Sequence, residues 1–132
     1  MRFMVIVKGC EGEAAPNQEM RTAMQKFNEE LQRAGVLVAI EGLYSGARGA
    51  RVKFNGKDRV VTDGPFTESK EVIGGFWLWK CPSKDAAVEW VKKIPFGAGM
   101  EVELRQVFEP DDFAARFSPE LQQKEERLWR SV

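Results

Sequence analysis

The sequence predicts an α+β fold: a ferredoxin-like βαββαβ order with an inserted β-hairpin, assembled as a dimeric α+β barrel and carrying a C-terminal helical tail. Three observations predict it. Apolar runs at strand period alternate with two apolar stripes at helical period. An Asn-Gly pair sits between two short β-branched runs, as in a hairpin. One strand candidate shows almost no polar residue and so expects cover on both faces.

The elements follow in order. Met1 to Val7 is too short for a spanning helix or for a signal-peptide core with its cleavage site, and Phe3 to Lys8 reads as the first strand. After the polar loop Gly9 to Pro16, the residues Met20, Ala23, Met24, Phe27, Leu31 and Ala34 recur at helical spacing. Pro16 or Asn17 starts that helix and Gly35 stops it. Val36 to Tyr44 is a strand, rich in apolar and β-branched residues. Arg51 to Phe54 and Arg59 to Thr62 flank Asn55-Gly56, whose tolerance of positive φ suits a type I′ turn.

The turn Asp63-Gly64-Pro65-Phe66 leads to the apolar strand Val72 to Cys81. Ser83 caps a second helix that buries Ala87, Trp90, Val91 and Ile94; Asp85 complements its first turn, Lys92 and Lys93 its last, and Pro95 ends it. Met100 to Phe108 is the final strand, with Val102, Leu104 and Phe108 alternating against Glu101, Glu103, Arg105 and Val107. Beyond Pro110, Phe113 and Phe117 stand one helical turn apart. Ser118-Pro119 then opens a charged helix with Leu121, Leu128 and Trp129 as its apolar positions. Two helices can cover one face of such a sheet, and the other face stays apolar, so a second copy packed sheet to sheet is expected. Residues 1–110 are read as the barrel domain and 111–132 as a helical extension of it.

Composition narrows the chemistry. The 132 residues hold 20 Lys plus Arg, 20 Asp plus Glu and no His. No Ser-His-Asp or Cys-His pair, HExxH zinc site or His proton shuttle is available, so catalysis would fall to carboxylates, Lys, Arg, Tyr44, a cysteine or a bound cofactor. No metal site or cofactor is predicted. Cys10 and Cys81 are expected as reduced thiols of a cytoplasmic protein, and no stretch is long and apolar enough for a spanning helix. Zero net charge argues against a nucleic-acid coat or a membrane binder. Charge is nevertheless segregated. Gly46 to Thr62 carries five Lys or Arg against Asp58, and residues 101 to 112 carry five acids against Arg105. Opposed patches of this kind suit self-association, with plain surface solubility the alternative.

Asp63-Gly64-Pro65-Phe66, Lys70-Glu71-Val72-Ile73-Gly74-Gly75-Phe76-Trp77 and Glu101-Val102-Glu103-Leu104-Arg105-Gln106-Val107-Phe108 resemble the YCII-related proteins of the DGPF type. Met1 to Val5, Gly42-Leu43 and Gly49 to Val52 look like the same family, so the resemblance covers roughly residues 1 to 113. It implies a dimeric α+β barrel in bacterial cytoplasmic proteins, mostly of unknown activity and some encoded beside alternative sigma factors. The wider group's His and Asp pair is matched here by Asp63 alone, because the chain has no His.

Each candidate site residue has two readings. Asp63 either accepts its own downstream amides in an Asx-turn or acts as a proton-moving carboxylate in a barrel mouth. Glu68, Lys70 and Glu71 form either a solvated charge run or, through Lys70 beside Asp63 or Glu71, an anion-holding cluster. Arg105 either pairs with Glu41 or another carboxylate in the dimer, or grips a carboxylate ligand through its planar fork. Trp77 and Trp79 are core, interface, or one wall of an aromatic pocket that Tyr44 can join. The expected function is binding of a small organic ligand in a cleft near Asp63, Trp77 and Arg105, with carboxylate acid-base chemistry as its catalytic form. The alternative is a non-catalytic module whose tail engages a protein partner such as a sigma factor.

Overall fold

The computed structural model describes residues 1–9, 17–66, 73–113 and 118–132. Its strands are β1 (Arg2–Lys8), β2 (Leu37–Gly42), β3 (Ala50–Asn55), β4 (Asp58–Asp63), β5 (Ile73–Lys80) and β6 (Glu101–Gln106). Its helices are α1 (Gln18–Arg33), α2 (Lys84–Val91) and α3 (Pro119–Arg130), with short 3-10 turns at Gly46–Arg48 and Pro110–Phe113. Among the described residues no helix is long and apolar enough to cross a membrane.

The helix ends were set by local chemistry. Asn17 Oδ1 accepts from the Met20 N–H at 2.8 Å, which selects Asn17 over Pro16 as the start of α1. Gly35, at φ +71°, stops it in the left-handed region. Ser83 Oγ accepts from the Ala86 N–H at 3.1 Å and Ser118 Oγ from the Leu121 N–H at 3.3 Å, capping α2 and α3.

Two sheets result. One is four-stranded in the order β2-β5-β1-β6, antiparallel throughout; removing β3 and β4 leaves the ferredoxin-like pattern. The other is the two-stranded β3–β4 hairpin, the predicted insertion. Helices α1 and α2 lie on one face of the larger sheet. Phe3, Val5, Trp77, Trp79, Phe27, Leu31 and Ala87 form the core there, closed by Cys81 and Ile94. Trp79, Phe3, Leu31 and Val5 are its largest fully buried side chains, each worth on the order of 1.5–3 kcal/mol of transfer free energy. Burial also pushes the Cys81 thiol pKa up, as expected for an inert core cysteine.

Local expectations change at four points, and α2 is the first: it ends at Val91 with Lys92 as its C-cap, so Lys93 and Pro95 lie beyond it rather than in and after its last turn. Asn55 pairs with Asp58, so the hairpin turn is centred on Gly56-Lys57; only Gly56 has positive φ, +59°, which fits a type II′ rather than a type I′ turn. The last strand ends at Gln106, and Phe108 falls outside its alternation and is exposed. Ala34 is the α1 C-cap and exposed rather than part of the buried stripe.

Candidate functional site

The register assigns every strand residue a face, because directly opposed residues of an antiparallel pair project to the same side. Val5 opposes both Trp77 and Leu104 under the helices. Met4 opposes Leu78 and Arg105, and Ile6 opposes Phe76 and Glu103, on the other face. Glu41, opposite Phe76, joins them. That second face has an apolar centre of Met4, Ile6, Phe76 and Leu78, all half-buried, and no described helix of the α1–α2 layer covers it.

Charged groups rim this centre. Lys8 Nζ lies 3.1 Å from Glu103 and 3.7 Å from Glu101. Arg105 donates to Glu103 Oε2 at 3.3 Å. Hydrogen bonds from Lys8 and then Arg105 lower the Glu103 pKa below the ordinary carboxylate value. Arg2 grips Glu109 with two contacts, 2.8 and 3.2 Å, at the β1 end, and this hydrogen bond raises the Arg2 pKa. Arg105 itself is 71% exposed, so most of its guanidinium edge faces outward.

The predicted site residues are therefore separated. Trp77 is 3% exposed, inside a cluster with Phe27, Trp79 and Phe96, and its indole N–H donates to Asn28 Oδ1 at 2.8 Å. Arg105 projects from the opposite side of the same sheet, so no one cleft holds both side chains. Tyr44 is 77% exposed at the end of the segment after β2, with the Arg48 guanidinium 4.0 Å from its ring centroid. Asp63 ends β4 opposite Ala50, exposed, on the hairpin rather than the larger sheet. No hydrogen bond to its carboxylate is present among the described residues, so the Asx-turn is not formed there. Lys70 and Glu71, with Glu68, lie outside the described residues.

The turn after Asp63 is held by backbone. The Gly64 N–H donates to Gly49 O at 3.0 Å, and the Gly64–Pro65 peptide is cis. A Cβ on Gly64 would fall inside the Gly46 carbonyl group. The turn thereby carries Pro65 and Phe66 over one face of the hairpin, the face with Arg51, Lys53, Val60 and Thr62. A concavity of about 660 Å³ lies there, and the Arg51 guanidinium sits 4.0 Å from the Phe66 ring centroid. Asp63 belongs to the other face. Sequence reasoning noted the basic hairpin but missed this cluster; the signal was Arg51 and Lys53 two residues apart on one strand face. A second, wider concavity of about 1130 Å³ follows α1, between Met20, Met24, Asn28, Leu37, Phe96 and Met100. Among the described residues no three His, Cys, Asp or Glu side chains gather to hold a metal ion.

Comparison with known proteins bears on the fold more than on the site. Residues 1–111 match the YCII-related domain. An uncharacterised protein of Rhizobium meliloti (strain 1021) is 29% identical over 99 residues, spanning 72% of this chain and 77% of that relative.

Proposed function

Since the chain belongs to the YCII-related domain family, we propose that it acts as a cytoplasmic homodimer whose open sheet faces pack together and bind a small organic molecule at their rim. The observation that supports this reading is the sheet face turned away from α1 and α2, whose apolar centre of Met4, Ile6, Phe76 and Leu78 is only half-buried among the described residues. An apolar patch of this kind is stabilised by a second copy, and a two-fold axis lets the same patch meet itself. At the rim, Arg105 donates to Glu103 and, among the described residues, to no other side chain, and its side chain is exposed, which leaves donors for a carboxylate in a bidentate pair. Acid-base chemistry falls to carboxylates, with Asp63 the first to test, because the chain has no histidine.

Light scattering on the eluting protein tests the dimer: wild type is expected at twice the chain mass and Leu78→Glu at the single mass. A wild type that runs as a monomer at micromolar concentration removes this reading. A thermal-shift screen of small organic acids, run in parallel on wild type, Arg105→Gln and Asp63→Asn, tests the ligand. Hits lost only in Arg105→Gln support binding at the rim.

One observation favours a second reading. The helix α3 follows the family-matched residues 1–111 and exposes Leu121, Leu128 and Trp129. An amphipathic helix with an exposed apolar side suits docking to a protein partner such as a sigma factor. Deleting residues 118–132 separates the readings, since only partner binding depends on them.

A further inference from the structure

We infer that the β3–β4 hairpin carries a binding site for a small aromatic or otherwise apolar organic acid, separate from the open sheet face. The site is the concavity of about 660 Å³ bounded by Arg51, Lys53, Val60, Thr62, Pro65 and Phe66, with Val52 of β3 also at its border. That volume lies within the ~300–1,000 Å³ range of small-molecule pockets.

Its chemistry follows from the register. Arg51 opposes Thr62 and Lys53 opposes Val60, so two cations, a hydroxyl and a methyl-bearing side chain share one strand face. Successive same-face residues on a strand stand roughly 6–7 Å apart. Neither cation has a carboxylate within ion-pair distance among the described residues: Asp63 projects from the opposite face, and Asp58, on the same face opposite Asn55, makes no ion pair with Lys53. Two like charges at that spacing repel, and an anion between them relieves the repulsion.

Phe66 supplies the orientation. Its ring centroid lies 4.0 Å from the Arg51 guanidinium carbon, a cation–π contact that fixes where the cation sits while its N–H donors have no ion-pair partner among the described residues. A planar guanidinium fork matches a carboxylate in two parallel hydrogen bonds. Val60, Pro65 and the remaining edge of Phe66 give an apolar floor for the body of the acid. The close approach of Gly64 to Gly46 is what places Pro65 and Phe66 over this face, so the Asp63-Gly64-Pro65-Phe66 turn builds the site without lending it the Asp63 carboxylate.

The test uses the full chain and benzoate, followed through the backbone amide resonances of Ala50 to Asp63. Benzoate is expected to shift the amides of Arg51, Lys53, Val60 and Thr62 saturably. Benzyl alcohol, which keeps the ring but not the charge, and inorganic phosphate, which keeps charge but not the ring, are expected to bind at least tenfold more weakly. Arg51→Gln is expected to weaken benzoate at least tenfold and Lys53→Gln several-fold, with cross-strand contacts between Val52 and Val61 verifying an intact hairpin. Leu78→Glu and Arg105→Gln are expected to leave benzoate binding at the hairpin unchanged. Equal binding by Arg51→Gln overturns the proposal, as does phosphate binding as tightly as benzoate or the absence of any saturable shift. Should Arg105→Gln be the variant that loses benzoate, the site is at the sheet rim, and the dimer reading survives while this one does not.

Discussion

The indole N–H of Trp77 donates to the side-chain oxygen of Asn28 at 2.8 Å, tying β5 to α1 at the edge of the core. The donor is nearly fully buried, so removing its acceptor leaves it unsatisfied in an apolar cluster. Asn28→Ala is expected to lower unfolding free energy by about 1–3 kcal/mol in urea titrations. A double-mutant cycle with Trp77→Phe is expected to show coupling of roughly 1 kcal/mol. Additive losses would mean that the hydrogen bond adds nothing beyond packing.

Gly64 approaches the Gly46 carbonyl too closely for any side chain. The neighbour in the way is backbone, which cannot swing aside as a long side chain can. Gly64→Ala is expected to cost about 1–3 kcal/mol by overpacking and to displace Phe66 from Arg51. Thermal denaturation measures the first effect and the aromatic resonances of Phe66 the second. A variant as stable as wild type with an unchanged Phe66 would show that the turn yields easily.

Glu103 sits between Lys8 at 3.1 Å and Arg105 at 3.3 Å, which favour its charged form. Its folded pKa is therefore below its unfolded one, about 4.3 for an ordinary Glu. The sign follows from linkage: the folded state binds fewer protons, so stability from this group is fully present above the unfolded value and is lost as pH falls below it through the folded one. Glu103→Gln is expected to flatten the acid limb of the stability curve below about pH 4.3 and leave its slope at pH 6–8 unchanged. Parallel acid limbs for the two proteins would count against the network.

What was legible in the sequence was local. Asn17, Ser83 and Ser118 cap within three residues, and Gly35 and Gly56 take positive φ in their own turns, so near neighbours suffice to read them. The succession of strands and helices along the chain followed from the alternation of apolar periods. What was not legible depends on contacts distant in sequence. Gly64 reads as a source of φ freedom, yet its φ is not positive and its requirement comes from Gly46, across the hairpin. Within one chain Arg105 cannot reach Glu41, because β2 and β6 are opposite edges of the sheet, and it pairs with Glu103 instead. Trp77 and Arg105 both read as pocket residues, and only the pairing of β1 with β5 and β6 shows that they face apart.

Asp63 is where the two levels of reading part most sharply. As a turn lock, its carboxylate would accept a downstream amide, a bond typically worth ~1 kcal/mol, and Asp63→Ala would lose it. The structure has the residue exposed, paired to Ala50 through backbone only, with the turn held by the Gly64 N–H on Gly49 O. Asp63→Ala and Asp63→Asn are therefore both expected to stay within about 0.5 kcal/mol of wild type in urea titrations, as surface substitutions usually do. A loss of 1 kcal/mol or more in the Ala variant would restore the turn-lock account. With stability unchanged, any ligand response that vanishes in Asp63→Asn belongs to the carboxylate itself, on the hairpin face opposite Arg51 and Lys53.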